Sequence, residues 1–339
     1  MVSRIPFDES SWQDYLAGQA AHLPHLPQTQ CLTARVTRIL GNNPGPMSLQ
    51  GTNTYLVGLG SSRILIDTGE GDPGWISAIV DVLTESQIHI SHVLLTHWHG
   101  DHTGGVPDII THDPKLVSHV YKNKPDPGQL HISDGQVFRV NGATLRAVFT
   151  PGHAIDHMCF LLEEENALFT GDNVLGHGYS VVLDLSEYMQ SLARMAALQC
   201  TTGYPGHGAR IDDMPAKMRE YIHHKESRVE HVFRTLPPRK TTTTTVSPIA
   251  RGTSNSGGMT LAQIVQSIYG DVPPQLVETV LAPFLTQALW KLAEDQRVGF
   301  EPGERELTKR RWFATGSQRV RKARDLDGKT HARGGSDAL

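Results

Sequence analysis

Cysteine is scarce in this chain, and the few that occur do not suggest a disulfide scaffold. Only three of the 339 residues are cysteine: Cys31, Cys159 and Cys200. Their number is odd, their spacing is wide, and no Cys-x-x-Cys pair occurs among them. We therefore expect free, buried thiols and a reducing compartment, with a cytoplasmic location as the default.

Long apolar runs are also missing. No stretch approaches the roughly 20 residues that a membrane-spanning helix needs, and Met1–Pro6 leads into polar sequence without the apolar centre of a signal peptide. Neither sign of charge dominates, because 31 Lys and Arg stand against 35 Asp and Glu, for a net charge of −4. This balance gives no global signature of nucleic-acid binding. The sequence therefore predicts an ordinary globular protein without a membrane span.

Metal-binding side chains are crowded into the short run Thr96–Gly105. Within six positions it holds four of them: His97, His99, Asp101 and His102. The run follows Ser91–Leu95, whose apolar, β-branched character is typical of a buried strand. A strand that ends in such a loop puts rigid backbone beneath a coordination shell. Because zinc binds imidazole nitrogen and carboxylate oxygen, the pattern favours a metal site over a solvated histidine-rich turn.

Three later segments repeat the same plan in order. Each has an apolar run and a turn glycine that accompany one ligand-type side chain: His153 after Ala147–Phe149, Asp172 after Asn166–Leu168, and His207 within Tyr204–Gly208. Glycine relieves the steric limits on a chain that bends sharply beneath a metal. We therefore expect these distant segments and the first motif to contribute ligands to one shared site.

Together these residues resemble the metallo-β-lactamase-fold hydrolases over about residues 30 to 235. The resemblance implies two divalent metal ions, with zinc expected and manganese or iron as alternatives, because His/Asp sites accept all three. It implies the following ligands: His97, His99 and His153 for one metal, Asp101, His102 and His207 for the second, and Asp172 as the bridge. It also implies that Asp67, at the end of a strand, braces the metal loop without binding metal.

The implied chemistry is hydrolysis by an activated water. Two neighbouring divalent metals make water a nucleophile near neutral pH, so no serine or cysteine nucleophile is required. Asp101 is the expected general acid/base, because it would contact both metal and nucleophile. His157 and His177 follow candidate ligands in the chain and are weaker candidates for a supporting or substrate-contacting role. Trp98, between two candidate ligands, is expected to pack the loop.

The order of predicted elements indicates an α/β fold. Strands are expected over Arg35–Leu40, Thr54–Val57 and Arg63–Asp67, and Asn-Gly in Val137–Arg146 predicts a hairpin. Amphipathic segments predict three helices: Trp75–Thr84, Asp184–Leu198 and Met214–Arg234. The alternation supports only the α/β class. The four-layer αββα metallo-β-lactamase sandwich is what the resemblance implies.

Composition divides the chain into four parts. They are a catalytic domain over residues 1–236, a Thr/Ser/Gly-rich linker over 237–258, a small winged-helix-like C-terminal module over 259–315, and a basic, disordered tail over 316–339.

The module is expected to contain helices over Met259–Tyr269, capped by Thr260, and Gln275–Glu294, followed by a hairpin. Its helix-turn-helix shape suggests DNA binding, but a cap beside the active-site entrance is the favoured interpretation.

A narrower resemblance lies in three segments that include sequence outside the metal motifs: Trp12–Pro24, Leu49–Tyr55 and Thr170–Gly178. They look like the metallo-β-lactamase-type thioesterases that partner non-reducing polyketide synthases in fungal aromatic pathways, such as the atrochrysone carboxyl-ACP thioesterases. This resemblance spans about residues 10 to 315. It implies hydrolysis of an acyl-carrier-protein thioester and release of an aromatic polyketide carboxylic acid in secondary metabolism.

The partner implied is therefore the carrier-bound polyketide on a non-reducing polyketide synthase. Carrier proteins are usually acidic, and residues 305–339 hold ten Lys/Arg against four Asp/Glu. This basic stretch is a candidate docking surface.

Two other substrates are compatible with the same fold, because the fold does not fix function. A glyoxalase-II-like glutathione thioester hydrolase shares the metal set, although no Lys/Arg cluster for glutathione carboxylates occurs near residues 140–180. A single-strand endoribonuclease would need a basic track around the site, which the catalytic domain does not suggest. The identity of the polyketide, and release by water or by ring closure, stay open at this point.

Overall fold

The computed structural model describes residues 23–239, 257–274, 277–302, 304–306 and 308–315. Most of the predicted linker, the predicted tail and nearly all of Trp12–Pro24 lie outside the described residues. Two β-sheets stack face to face, and helices cover both outer faces.

The first sheet has seven strands arranged in chain order. They are β1 Thr29–Cys31, β2 Val36–Leu40, β3 Asn53–Val57, β4 Ser62–Ile66, β5 His89–Leu94, β6 Val120–Lys122 and β7 Leu130–His131. Neighbours from β1 to β4 are antiparallel, and those from β4 to β7 are parallel. β3 is buried at all five positions, because both faces of the sheet are covered.

The second sheet has five strands in the order β12-β11-β10-β9-β8. They are β8 Val137–Val140, β9 Ala143–Phe149, β10 Met158–Leu162, β11 Ala167–Gly171 and β12 Thr202–Pro205. Only the β11–β12 pair in this sheet is parallel. The predicted hairpin is confirmed, since β8 and β9 pair across a turn in which Gly142 has φ +73°.

Helices connect the strands and continue beyond the second sheet. They are α1 Pro73–Glu85, α2 Gly100–Thr103, α3 Val106–His112, α4 Leu185–Ala197, α5 Met214–Thr235, α6 Leu261–Tyr269 and α7 Ala282–Glu294. Short 3-10 turns occur at Pro114–Ser118 and Glu163–Glu165. α1, α4 and α5 lie within two residues of the three predicted helices. Among the described residues, no helix is both long and apolar enough to cross a membrane.

Three hydrophobic clusters fill the spaces between four layers. One lies between the sheets and joins Tyr55 and Ile66 to Phe160 and Phe169. A second packs α1 and α3 on the first sheet around Trp75. The third packs α4 and α5 on the outer face of the second sheet. The predicted four-layer αββα sandwich is therefore confirmed.

The C-terminal module packs onto the outermost layer. Thr260 caps α6 in a reciprocal capping box with Gln263, as the sequence predicts. β13 Val298–Phe300 and β14 Trp312–Ala314 form the small hairpin. Buried residues of α6, α7 and β14 belong to the same cluster as those of α4 and α5. The boundaries at 236 and 259 remain our proposal for the chain's organisation, and the two parts share one core.

The predicted helix over Gln275–Glu294 is helical from Val277 to Glu294, but it is not a regular α-helix throughout. A π-helical turn over Val277–Leu281 precedes α7, which begins at Ala282. Pro283 has no N–H and cannot extend a regular α-helical hydrogen-bond ladder backwards from this point. The π-helical turn leads directly into α7 without this hydrogen bond.

The cysteine prediction is correct in part. All three thiols are free, and Cys159 and Cys200 are buried, but Cys31 is exposed. Cys31 lies on β1, whose three residues are all exposed. This strand lies at the edge of the first sheet, where fewer neighbours cover it.

The glycine at the end of the first metal-type motif is required by close packing. A Cβ on Gly105 would lie 2.1 Å from the Thr68 carbonyl oxygen and 2.4 Å from the buried Trp75 ring, whereas a Cβ on Gly100 would meet nothing within 4 Å. Because overpacking is destabilising, we expect Gly105→Ala to lower the free energy of unfolding by about 1–3 kcal/mol. The control Gly100→Ala should change it by less than about 0.5 kcal/mol. Urea unfolding at equal midpoints for the two variants would contradict this packing argument.

Candidate metal centre

The seven predicted ligand side chains converge at one edge of the sandwich. They lie on the segments that follow β5, β9, β11 and β12, with Asp101 and His102 on the short helix α2. They form two groups, each with ligand atoms within 4.8 Å of one another: His97, His99, His153 and Asp172 in the first group, and Asp101, His102 and His207 in the second group. The strand ends therefore bring together residues that are up to 110 positions apart in the chain.

The first group presents three imidazole nitrogens to a common point. His99 Nδ1 lies 2.9 Å from His97 Nε2 and 3.1 Å from His153 Nε2. Burial lowers the pKa of all three imidazoles, and that of His97 falls well below its usual range. The neutral imidazole is the form that binds metal. The environment of this group thus favours the ligand form of each histidine.

The second group is richer in carboxylate. Asp101 Oδ2 lies 3.2 Å from His207 Nε2 and 3.4 Å from His102 Nε2. Burial by itself would lower the pKa of His207, but Asp172 and Asp101 raise it to about 9. A site in which carboxylates outweigh burial in this way attracts positive charge, whether a proton or a metal cation supplies it.

Asp172 lies between the two groups. Its Oδ2 is 3.6 Å from His153 Nε2 and 3.2 Å from His207 Nε2, and its Oδ1 is 3.4 Å from His102 Nε2. Burial opposes its charge, yet His207 and His102 hold the pKa of this carboxyl well below its usual range. An ionised carboxylate that faces both groups has the placement of a bridging ligand.

The residues present fit divalent metal ions. His102 Nε2 and Asp172 Oδ1 are buried and have no hydrogen-bond partner among the described residues. An unsatisfied buried polar group costs about 1–3 kcal/mol, and a bound cation would remove that cost at both atoms. The donors are imidazole nitrogen and carboxylate oxygen, which suit zinc, manganese and iron. The arrangement supports divalent-metal binding, and zinc remains our proposal.

Partners on the far side of each ring orient the candidate ligands. His97 Nδ1 lies 2.9 Å from Thr96 Oγ1, and His153 Nδ1 lies 2.8 Å from the Val181 carbonyl oxygen. A carbonyl only accepts, so His153 donates from Nδ1 and keeps the lone pair of Nε2 for the site. Such outer partners fix the tautomer and the ring direction of a metal-binding histidine.

Asp67, directly after β4, accepts hydrogen bonds from the same loop. It accepts hydrogen bonds from the Thr96 amide (2.8 Å) and hydroxyl (2.9 Å), and its Oδ2 lies 2.8 Å from His102 Nδ1. It belongs to neither ligand group. The backbone of Asp67 has φ +58°, a conformation that costs a non-glycine residue about 1–3 kcal/mol. The contacts match the bracing role that the sequence predicts.

Comparison with known proteins agrees with this geometry. Residues 48–207 match the metallo-beta-lactamase superfamily. The chain is 60% identical over 321 residues to "Lactamase-like protein nscB" of Aspergillus fumigatus, covering 95% of this chain and 96% of that protein. It is 61% identical over 316 residues to "Lactamase-like protein adaB" of Aspergillus niger, covering 93% and 97% respectively. The chain belongs to the metallo-β-lactamase superfamily.

A solved structure extends the likeness to three dimensions. A beta-lactamase domain protein from Burkholderia ambifaria matches with a TM-score of 0.65 and 17% identity, covering 86% of this chain and 97% of that one. At this identity the match shows the fold alone. It includes more of the chain than the superfamily region over residues 48–207.

His157 supports the centre of this metallo-β-lactamase-fold protein from inside. Its Nε2 accepts a hydrogen bond from the Asp172 amide at 3.0 Å, so Nδ1 carries the proton that faces Thr150 Oγ1 at 3.0 Å. The ring is fully buried, and burial lowers its pKa well below the usual range. These contacts assign His157 to positioning Asp172 and leave it out of reach of substrate.

Trp98 and His177 differ in their surroundings. Trp98 was expected to pack the loop, but its side chain is 50% exposed and its ring lies edge-on to His99 at 4.5 Å. Its neighbours His97 and His99 both belong to the first ligand group, and the side chain between them is half exposed. His177 belongs to neither ligand group, and it lies beside Gly208, just beyond His207.

Two polar residues at the site were not predicted from the sequence. Thr52 Oγ1 donates to Asp101 Oδ2 at 3.3 Å, and Asn53 Nδ2 donates to the carbonyls of Pro205 (2.9 Å) and Gly208 (2.8 Å). Asn53 thus ties the first sheet to the loop that carries His207. Both residues lie in Leu49–Tyr55, a segment that the sequence marks as unusual but to which it assigns no role.

A second feature that was not predicted is the segment over residues 178–183, here called the strap. Its alternate carbonyls accept hydrogen bonds from helix side chains: Gly178 from Tyr221 (2.8 Å), Ser180 from Lys225 (3.1 Å) and Val182 from Gln287 (2.7 Å). The opposite edge contacts His153 through the Val181 carbonyl. The strap therefore links α5 and α7 to a candidate metal ligand.

Metal content tests the ligand assignment. We expect the wild-type protein to bind two divalent ions per chain, and His207→Ala to bind one with high affinity, because only the second group loses a donor. The control His131→Ala, an exposed residue of β7, should bind two. Zinc titration calorimetry with elemental analysis measures both. Two tightly bound ions in His207→Ala would contradict the assignment.

Lys225 makes stability depend on pH. Burial lowers the pKa of this ammonium to about 8 from its ordinary value of 10.5. The cost of burying its charge is fully present below pH 8 and is removed as the pH rises, because the unfolded chain then holds a proton that the folded chain has released.

Between about pH 8 and 10.5 we therefore expect wild type to gain up to about 3 kcal/mol of unfolding free energy relative to Lys225→Met. Urea unfolding of both proteins across this range measures the difference. A constant difference between them would show that Lys225 titrates normally.

Proposed function

We propose that this protein is a metal-dependent thioesterase that hydrolyses the acyl-carrier-protein thioester of an aromatic polyketide. It would release the carboxylic acid, of the atrochrysone carboxylic acid type, from a non-reducing polyketide synthase. The observation that supports a hydrolase most directly is the convergence of seven His and Asp side chains in two groups. The fungal lactamase-like relatives and the three thioesterase-like segments support the substrate class.

The proposal gives each side chain of the cluster a role. His97, His99 and His153 would hold one zinc ion, Asp101, His102 and His207 the second, and Asp172 both. When bound, such ions lower the pKa of water and polarise a carbonyl oxygen. The remaining work, which is to orient the water and to accept its proton, falls to the protein.

Asp101 is suited to that work. Its side chain is 29% exposed, against 10% for Asp172, so it reaches both the cluster and solvent. Burial opposes its charge, but His102 and His207 hold the pKa of Asp101 well below its usual range. Asp101 is therefore ionised at neutral pH and accepts a hydrogen bond from the attacking water. In the proposed reaction, the Asp101 carboxylate orients the water and receives its proton.

The proposed reaction needs neither a covalent nucleophile nor a second acid. Burial raises the pKa of the Cys159 thiol to about 12 and that of Cys200 to about 11, so both thiols are protonated at neutral pH. The leaving group of a thioester is a thiolate, and the pKa of the corresponding thiol in solution is about 8.5. It departs without strong acid assistance, and Asp101 alone is sufficient for proton transfer.

Two lysines near the cluster are not available to bind the carboxylates of a glutathione thioester. Glutathione carries carboxylates, which call for accessible cations. Lys122 is buried and pairs with Asp156 (3.8 Å) and Asp126 (2.9 Å), and Lys225 is committed to the Ser180 carbonyl. Both lysines are thus occupied within the protein.

Two arginines of the basic stretch over residues 305–339 make contacts within the protein. Arg310 lies over the Phe300 ring at 4.3 Å, and Arg311 donates to the Gly258 carbonyl. These contacts use both guanidinium groups to stabilise the C-terminal module. A basic docking surface is therefore proposed for residues 316–339, outside the described residues.

Release of a carrier-bound aromatic polyketide tests the function. At saturating zinc, with metal content measured in the same samples, we expect Asp101→Asn to lower kcat/KM by about 10²–10⁴-fold because proton transfer is lost. The control Asp81→Asn changes an exposed carboxylate of α1 and should leave the rate unchanged.

Two outcomes would overturn parts of the proposal. A metal-loaded wild-type protein that releases no polyketide but cleaves a glutathione thioester or RNA would refute the substrate assignment. Full activity in metal-loaded Asp101→Asn would refute the role of Asp101.

A further inference from the structure

Four large apolar side chains are exposed on segments that flank the first ligand group. They are Trp98 (50% exposed), Ile155 (59%), Val181 (53%) and Leu183 (53%). Exposed apolar area forgoes about 25 cal/mol per Å² of burial energy. A concentration of such side chains beside a reactive centre indicates a surface that binds an apolar group.

Backbone contacts hold the three segments together. The Met158 amide donates to the Thr96 carbonyl at 2.8 Å, and His99 Nδ1, next to Trp98, lies 3.1 Å from His153 Nε2. The Val181 carbonyl accepts from His153 Nδ1 at 2.8 Å, and the Leu183 amide donates to the Gly152 carbonyl at 2.8 Å. The four side chains therefore lie on the loop that carries His153 or on segments bonded to it, and we call them the apolar rim.

Two residues of the strap, Val181 and Leu183, face outward, whereas Tyr179 stacks on His224 of α5. Ser180 is buried and Val182 packs against the outer core, whereas Val181 and Leu183 are exposed. Side chains alternate in this way along an extended chain. Three helix side chains fix the strap through its carbonyls, and one of them, Lys225, is buried to do so. The rim is thus a preformed surface, as substrate sites usually are.

We propose that the apolar rim binds the acyl group of the thioester and selects polycyclic aromatic acyl groups over small ones. This inference rests on the proposed function and adds the residues that determine specificity. The indole of Trp98 offers a face for stacking a ring, and the three aliphatic side chains offer an uncharged surface. The nearby carboxylate of Asp184 is engaged as the N-cap of α4.

Carrier-free thioesters test the rim without protein docking. The probes are the naphthoyl and acetyl thioesters of N-acetylcysteamine, which share a leaving group. We expect Trp98→Ala, and the triple variant Ile155→Ser/Val181→Ser/Leu183→Ser, each to raise KM for the naphthoyl thioester about tenfold, while kcat/KM for the acetyl thioester changes by less than about twofold. Val117→Ser, equally exposed at 53% but on a distant 3-10 turn, is the control.

A binding measurement separates this inference from the proposed function. The naphthoyl amide of N-acetylethylenediamine, in which NH replaces the thioester sulfur, resists hydrolysis, and calorimetry reports its affinity for the metal-loaded protein. Weaker binding to both rim variants than to wild type and Val117→Ser supports the rim, even where no thioester is hydrolysed and the proposed function fails. Equal affinity in all four proteins, or an unchanged ratio of naphthoyl to acetyl turnover in the rim variants, would overturn the rim and leave the thioesterase proposal standing.

Discussion

A single buried carboxylate joins the end of one strand to the loop that follows its neighbour. Asp67 accepts two hydrogen bonds from Thr96 and contacts His102 Nδ1, and it does so from a strained backbone conformation. Without this brace, the loop from β5 would lose the contact that turns the Nε2 of His102 toward the cluster. Because His97 is oriented through the same threonine hydroxyl, both ligand groups depend on it. The strain at Asp67 is offset by the contacts it makes, which is how local strain persists at functional sites.

The two ligand groups differ in electrostatic character. In the first group burial dominates, so its imidazoles are neutral and ready to bind metal. In the second group carboxylates outweigh burial, and the pKa of His207 rises. Asp172 connects the two environments, and His157 fixes its backbone. Asp101 is the more exposed of the two carboxylates in the cluster. The proposed proton transfer is assigned to it for that reason.

The helical layer does more than cover the second sheet. α5 and α7 donate to the carbonyls of the strap, and the strap contacts His153. The C-terminal module shares its core with α4 and α5. Its helix α7 also donates to the strap, which contacts His153. A segment whose sequence predicts a separate small module thus packs into the helical layer that supports the candidate metal site. The preference for a cap over a DNA-binding unit agrees with this packing.

The sequence by itself determined much of this protein. Buried strands followed by glycine turns and metal-type side chains predict all seven residues of the cluster, and helix periodicity predicts α1, α4 and α5, because these signals are local. Only the tertiary structure decided how Thr52, Asn53, Lys225 and Gln287 contribute. Each acts through hydrogen bonds to residues tens of positions away, and no spacing rule encodes such a contact. The exposure of Trp98 belongs to the same class, because burial depends on what the rest of the chain packs around a residue. Local pattern fixed which groups could bind metal, and packing fixed what supports and surrounds them.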